Sequence, residues 1–147
     1  MRSAGGSGGG SVDTVRDGTV RAVAHTVFSP DTNDWQERDD GSGRRVARFS
    51  DSMTQARANL WRYPSGARGK RHADHVQEET FVIVAGTPSM FLGDPPERVD
   101  LSPGSVVVVQ PGTPLQIRND GADEAMLFIV GAPPEQGGID TYPDVED

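Results

Sequence analysis

Three side chains able to transfer protons or bind a metal ion lie close together in the middle of this 147-residue sequence. His72 and Asp74 are two residues apart, and Glu79 follows five residues later. Because successive side chains of a β-strand point to opposite faces, His72 and Asp74 share one face of a predicted strand. On the next predicted strand, Glu79 begins an alternating row with Phe81 and Ile83. An imidazole beside a carboxylate is a candidate general base, and all three groups are candidate metal ligands.

These residues belong to two motifs that glycines punctuate. The first motif is Gly66-x5-His72-x-Asp74-x4-Glu79-x6-Gly86, and the second is Gly104-x5-Gln110-x-Gly112-x2-Leu115-x3-Asn119. Their spacing resembles the paired motifs of the cupin family, which are G-x5-H-x-H-x(3,4)-E-x6-G and G-x5-P-x-G-x2-H-x3-N. The resemblance covers about residues 46–132 and includes every motif glycine.

The resemblance implies an all-β fold, a cupin-type antiparallel β-barrel that is also described as a double-stranded β-helix or jelly roll. In cupins, three histidines and a glutamate converge on one metal ion inside the barrel. The corresponding positions here are His72, Asp74, Glu79 and Leu115, which the resemblance implies all face the lumen. Leu115 is expected opposite His72 and Glu79. The sequence departs from the family's pattern where Asp74 and Leu115 replace histidines and where Gln110 replaces a proline.

The residue types leave several kinds of site open. His72, Asp74 and Glu79 would form a metal set of one histidine and two carboxylates, which favours Mn²⁺ or Mg²⁺ over softer ions. Without a metal, His72 and Asp74 are the candidate catalytic residues, because the carboxylate orients the ring and stabilises the imidazolium. Alternatively, a hydrogen-bonded His–Asp pair and a glutamate at a strand start serve only the fold.

Aromatic and basic residues precede His72. Trp61 shares a predicted strand face with Asn59 and Tyr63, and this face either lines a binding cavity or packs in the core. A basic cluster spans the same stretch and consists of Arg57, Arg62, Arg68, Lys70 and Arg71. The cluster either attracts an anionic ligand or covers solvated strand edges.

Short strands separated by turn residues must position these side chains. We predict strands at 46–49, 56–63, 70–75, 79–85, 88–92, 98–101, 105–110, 114–118 and 125–131. Gly, Pro, Asn and Asp separate them, which is typical of an all-β sandwich or barrel. No stretch shows sustained helical periodicity.

The two ends of the chain show less of the alternation that predicts strands. Residues 1–18 are predicted as a flexible Gly/Ser-rich tail, residues 19–134 as the cupin β-barrel domain, and residues 135–147 as an acidic tail that is solvated and mobile. Residues 19–28 are expected to add one or two edge strands, and residues 29–45 to form a loop.

The composition of the chain limits which partners and which cellular compartment we expect. The net charge of −8, from 22 acidic and 14 basic residues, argues against nucleic acid as a partner. No segment approaches the roughly 18 apolar residues of a membrane span, and the first residues lack the apolar core of a signal peptide. The sequence has no cysteine, which fits a reducing interior. We expect a cytoplasmic protein without a membrane partner.

Two strands are apolar on both faces. Residues 106–109 read VVVV and residues 125–130 read AMLFIV, so their outer faces need a cover as well as the lumen inside. Residues 19–28 or a second subunit would provide it, and we predict a homodimer.

We predict a small-molecule-binding protein with a degenerate metal centre and no cofactor, either non-catalytic or weakly active in acid–base chemistry. Its ligand is an unidentified small organic molecule, and the predicted binding residues are His72, Asp74, Glu79, Leu115 and Trp61. The alternative is a metal-dependent enzyme of the oxygenase or isomerase class that binds Mn, Fe or Zn through His72, Asp74 and Glu79. A structural or partner-binding domain, the third alternative, would fill its barrel with its own side chains.

Overall fold

The structure is a computed structural model that describes residues 11–14, 20–135 and 137–147. The chain divides into two compact units, residues 1–33 and 34–147. In the first unit, β1 (Ser11–Thr14) and β2 (Val20–Val23) form an antiparallel hairpin. β1 lies in the predicted N-terminal tail, whose other residues fall outside the described ones. The strands predicted within 19–28 amount to β2 alone, because residues 24–28 have no regular structure.

The second unit contains the strands that the motifs predicted. In chain order they are β3 (Gln36–Glu37), β4 (Arg45–Arg48), β5 (Arg57–Tyr63), β6 (His72–Asp74), β7 (Glu78–Ala85), β8 (Ser89–Leu92), β9 (Glu97–Asp100), β10 (Val106–Val109), β11 (Leu115–Arg118), β12 (Ala125–Ala132) and β13 (Ile139–Thr141). They form a six-stranded sheet in the order β10-β7-β12-β5-β4-β3 and a five-stranded sheet in the order β13-β6-β11-β8-β9. All the pairings are antiparallel.

The predicted all-β fold is confirmed strand by strand. Each of the nine strands predicted in the barrel corresponds to one of β4 to β12, with ends that differ by one or two residues. The strands β3 and β13 were not predicted, because they are only two and three residues long and lie in segments without an alternating pattern. Among the described residues, helix is limited to a 3₁₀ turn at Ser50–Ser52. No helix in that part of the chain is long and apolar enough to cross a membrane.

The motif glycines lie in the turns between strands, as expected. Gly66, Gly86, Gly104 and Gly112 all have positive φ values, between 76° and 90°. Gly86 also faces the neighbouring backbone, because a Cβ there would lie 2.7 Å from the Cα of Ala125. A side chain at this position would therefore be both strained and in collision.

The core lies between the two sheets. Alternation along the strands directs one row of side chains from each strand inward. The most deeply buried of them include Phe81, Ile83, Met90, Leu115 and Leu127, each no more than 2% exposed. This packing holds the two sheets together through the hydrophobic effect.

The C-terminal segment belongs to the barrel wall. β13 pairs with β6 along its length. The Val145 N–H donates to Gln116 Oε1 at 2.9 Å, and the Asp147 carboxylate forms ion pairs with Arg68 and Arg118. The acidic side chains of this segment are exposed, as expected for a solvated tail. Its backbone, however, is hydrogen-bonded to the five-stranded sheet, which differs from the mobile end that we expected.

Candidate functional site

A cavity of about 600 Å³ is lined by residues of both sheets. Along β5, the residues Arg57, Asn59, Trp61 and Tyr63 alternate and line it together. This strand face fits both predictions, because it lines the cavity while Tyr63 belongs to the buried core and Trp61 packs against that core. Arg62, on the other face of β5, lies outside the cavity.

The neighbouring strands of the same sheet bring an acid into the cavity. β7 contributes Glu79 and Phe81. Glu79 and Arg57 are both cross-strand partners of Gly131 in β12, which lies between them. A Cβ on Gly131 would come within 2.8 Å of Gln77 Oε1, so the glycine makes room for the Gln77 amide in the cavity wall.

The five-stranded sheet contributes the other motif residues. His72, Asp74 and Leu115 line the cavity, together with Ile139 of β13. Leu115 is the direct cross-strand partner of His72 and is only 2% exposed. The expectation that Leu115 lies opposite His72 was therefore wrong, because β11 and β6 are neighbours in one sheet.

The His72 ring is held by the backbone. Its Nδ1 lies 2.9 Å from the carbonyl oxygen of Lys70, and a carbonyl can only accept, so Nδ1 carries the proton. The neutral ring therefore keeps a lone pair on Nε2. A histidine fixed in this tautomer can accept a proton or bind a metal through Nε2.

The Asp74 side chain forms hydrogen bonds within the turn between β6 and β7. Its Oδ1 accepts hydrogen bonds from the backbone N–H groups of Val76 at 2.8 Å and Gln77 at 2.7 Å. The predicted hydrogen-bonded pair of His72 and Asp74 is therefore wrong, since the hydrogen bonds of both side chains go to the backbone. The short β6 brings its last residue to the turn, where a carboxylate oxygen caps two amides.

Glu79 is a cavity residue whose pKa is shifted by its surroundings. Burial raises the pKa of the Glu79 carboxyl, the His72 charge opposes this effect, and the Asp74 charge adds to it. These interactions show that the three motif side chains are within electrostatic range of one another. A carboxyl group with a raised pKa holds its proton to higher pH than an ordinary glutamate, which makes it a better candidate for a general acid.

Arg44 was missed by the sequence analysis and is a buried cation of the cavity wall, 8% exposed. Its Nη1 donates to the Tyr63 hydroxyl at 3.1 Å, and its Nη2 forms an ion pair with Asp40 at 2.6 Å. Its guanidinium also lies 5.4 Å from the ring centroids of both Trp61 and Tyr63, within cation–π range. Burial raises the pKa of Tyr63, and the neighbouring Arg44 opposes that shift.

The predicted basic cluster divides in two. Arg57 and Lys70 line the cavity. The other three make ion pairs instead: Arg62 with Glu124, Arg68 with Asp147 and Arg71 with Asp94.

His75 points away from the site. It pairs with Asp140 at 2.8 Å and does not line the cavity.

The donor set does not fit a cupin metal centre. Leu115 offers only hydrocarbon at the fourth ligand position, and one oxygen of Asp74 already accepts two N–H groups. In the described part of the chain, no group of three or more His, Cys, Asp or Glu side chains is placed to hold one metal ion. His72 Nε2 and the Glu79 carboxylate are the remaining candidate donors.

Several lining residues carried no signal in the sequence. Arg38 and Arg44 come from the segment predicted as a loop, and Ile139 and Thr141 from the predicted tail. Nothing in their local pattern distinguishes them from exposed polar segments. By contrast, the alternation of Arg57 with the Asn59-Trp61-Tyr63 row was visible and would have identified Arg57.

The chain belongs to the cupin family. Residues 59–131 match the family model described as the cupin domain, and these residues contain both motifs in full. No curated protein matches the chain in sequence.

Solved structures share the fold at low sequence identity. KdgF from Halomonas sp. is 21% identical, with a TM-score of 0.65 and coverage of 75% of this chain and 96% of that one. The polyketide cyclase RemF from Streptomyces resistomycificus is 12% identical, with a TM-score of 0.71 and coverage of 84% and 89%. A cupin-superfamily sugar phosphate isomerase from Silicibacter pomeroyi is 21% identical, with a TM-score of 0.63 and coverage of 72% and 74%. Together these structures confirm the double-stranded β-helix and leave the activity open.

Proposed function

We propose that this protein binds a small organic molecule in its barrel cavity and that its metal centre is degenerate. One observation carries this proposal: the cavity places Leu115 beside His72, where the family pattern has a third histidine. Asp74, at the position of the second histidine, has one oxygen occupied by the β6–β7 turn. The protein is accordingly a binding or sensing module or a weak acid–base catalyst.

The character of the cavity supports binding rather than a purely structural role. A barrel filled by its own side chains would leave no space, whereas this cavity measures about 600 Å³. Its wall combines apolar surfaces, such as Trp61, Phe81 and Leu115, with a few polar groups. That combination is typical of sites that bury an organic ligand and orient it by hydrogen bonds.

Weak acid–base catalysis is the second candidate function, and a specific pair of residues favours it. His72 has a free acceptor in Nε2, and Glu79 is an acid with a raised pKa in the same cavity. One can accept a proton while the other donates one.

Metal titration tests the proposal. Protein purified without a metal-affinity tag should contain no stoichiometric metal, and calorimetric titration with Mn²⁺, Fe²⁺ or Zn²⁺ should show no submicromolar binding. Stoichiometric, submicromolar binding by the wild type would contradict the degenerate centre. It would favour a metal-dependent enzyme that uses His72, Asp74 and Glu79.

Two expectations from the sequence accompany this function as predictions. One is a cytoplasmic location, and the other is assembly as a homodimer.

A further inference from the structure

The cavity is rich in positive charge, although the chain as a whole carries a net charge of −8. Against the two motif carboxylates, Asp74 and Glu79, its wall carries four cationic side chains: Arg38, Arg44, Arg57 and Lys70. A cleft lined by an excess of one sign of charge concentrates ligands of the opposite sign. The local field of the cavity therefore opposes that of the whole molecule.

Most of these cations lack a carboxylate partner. Arg44 pairs with Asp40, whereas Arg38, Arg57 and Lys70 form no ion pair with any residue that the structure describes. Elsewhere in the described chain, ion pairs neutralise five arginines: Arg62, Arg68, Arg71, Arg98 and Arg118. Among the residues whose side chains the structure describes, the unpaired cations are Arg38, Arg57 and Lys70 in the cavity and the exposed Arg45 and Arg48 outside it.

Two of the four cations, Arg38 and Arg44, are linked to Tyr63, and the residue that precedes Lys70 approaches its hydroxyl. Arg38 is next to Arg44, because its N–H donates to the Arg44 carbonyl at 2.9 Å. Arg44 in turn donates to the Tyr63 hydroxyl. Gly69, which precedes Lys70, approaches the same point: a Cβ there would lie 2.9 Å from that hydroxyl and 3.4 Å from Arg44 Nη1.

Arg38 has hydrogen-bonding capacity that the protein does not use. Its Nε is buried and has no hydrogen-bond partner among the residues that the structure describes. A buried donor without a partner costs free energy, and a bound anion would supply the missing acceptor. Arg44 is already oriented by its contacts with Tyr63 and Asp40, so little side-chain entropy would be lost when an anion binds beside it.

We infer that Arg38, Arg44 and Lys70 form an anion subsite at the Tyr63 side of the cavity, and that the ligand is a small organic acid. Its anionic oxygens bind this subsite, and its apolar body, of one or two rings, packs on Trp61 and Leu115. This inference rests on the proposed binding function and specifies its ligand class. Guanidinium groups bind planar carboxylates and phosphates through paired hydrogen bonds, which makes both headgroups candidates.

Matched probes test the inference by calorimetry. The probes are 2-naphthoate, 2-naphthyl phosphate and the neutral 2-naphthamide, which share one ring system and differ in the headgroup. At least one of the two acids should bind about 10-fold or more tightly than the amide, because hydrogen bonds to charged groups are stronger than neutral ones. The tighter of the two acids then identifies the headgroup. Added salt should weaken binding of the acid and leave the amide unaffected.

Substitutions locate the subsite. Arg38→Gln should reduce the preference for the acid about 10-fold, while 2-naphthamide should lose much less affinity, since the Gln amide can still donate a neutral hydrogen bond to it; retained amide binding also shows that the cavity is intact. Lys70→Gln is a second variant at an exposed position, where folding is not at risk. The matched control is Arg45→Gln, which removes the same charge from the exposed neighbour of Arg44 and should preserve the preference.

The outcomes separate this inference from the proposed function. If the amide binds as tightly as both acids, or if the preference survives both Arg38→Gln and Lys70→Gln, the anion subsite is wrong and the binding function stands. If none of the three probes binds the wild type, the proposed binding function is overturned, and this inference with it.

Discussion

Leu115 is the residue on which the proposed degenerate metal centre depends, because it is paired with His72 and cannot ligate a metal. Its hydrocarbon side chain lines the same cavity, at the position where the family pattern has a third histidine. Removing donors from a metal site lowers affinity steeply, since each ligand contributes directly to binding. The same leucine adds apolar surface that suits an organic ligand.

Restoring an imidazole at this position should restore metal affinity. Leu115→His should raise the affinity for Mn²⁺, Fe²⁺ or Zn²⁺ by about 10-fold or more, since even the loss of a group that only supports a ligand costs 10- to 100-fold. Calorimetric titration of metal-free protein measures the change. Ile117→His, which places the same group two residues further along the lining face of β11, is the control and should have a smaller effect. Equal affinities for both variants would show that Leu115 is not the decisive position.

The Glu79 carboxyl should make the stability of the protein depend on pH. Because burial raises its pKa, the folded protein holds this proton more tightly than the unfolded chain. The resulting stabilisation is complete below the ordinary glutamate pKa of about 4.5 and is lost as pH rises through the folded-state pKa. Relative to the wild type, Glu79→Gln should therefore gain thermal stability as the pH increases from about 4 to about 8.

Melting temperatures in metal-free buffer across this pH range measure the effect. Glu78→Gln, at the exposed neighbouring residue of β7, is the control and should track the wild type. A difference between Glu79→Gln and the wild type that stays constant with pH would contradict the prediction.

At the scale of elements, the β6–β7 turn shows how a motif residue can serve the fold. The Asp74 carboxylate accepts two backbone N–H groups at the end of a three-residue strand. The strand is too short to hold the turn by ladder hydrogen bonds alone, so the side chain completes the connection between the two sheets.

Substitution of Asp74 separates this structural role from a role in chemistry. Asp74→Ala should lower the free energy of unfolding by about 1–3 kcal/mol, because it leaves the N–H groups of Val76 and Gln77 without their acceptor. Asp74→Asn keeps an oxygen acceptor and should retain most of the stability, although it removes the charge. Urea denaturation of both variants checks this. If Asp74→Asn is as unstable as Asp74→Ala, the carboxylate charge rather than its hydrogen bonds stabilises the turn.

At the scale of the whole molecule, the outer face of the six-stranded sheet carries an apolar patch at its edge. β10 is the outermost strand, and Val106 and Val108 are 58% and 54% exposed on it, beside Val84 of β7 at 49%. Exposed apolar edge strands favour association with another chain. These residues support the prediction of a homodimer that buries this face against the same face of a second copy.

Light scattering at micromolar concentration should give the mass of a dimer. The double variant Val106→Lys, Val108→Lys should shift the protein to the monomer, because it would bury like charges at the interface. Val76→Lys, at an exposed valine in the β6–β7 turn, is the control and should stay dimeric. A monomeric wild type would contradict the prediction.

The sequence by itself determined the barrel and the inward orientation of its motif residues. Alternation along strands such as β5 and β7, with glycines at the turns, is a local pattern. It can be recognised in the sequence without information about distant contacts. Alternation put Trp61 on one strand face with Asn59 and Tyr63, and the resemblance of the motifs to the cupin family implied that His72, Glu79 and Leu115 face the lumen, where the structure places them. The tertiary structure decided what surrounds them.

Only the folded chain shows that Asp74 bonds to its own turn and that Leu115 is beside His72 rather than opposite. Only the folded chain brings Arg38 and Ile139 to the cavity, because both come from segments outside the two motifs whose strands, β3 and β13, are too short to show a period. The physical reason is that these placements depend on which strands become neighbours, and strand pairing is set by long-range packing rather than by local pattern.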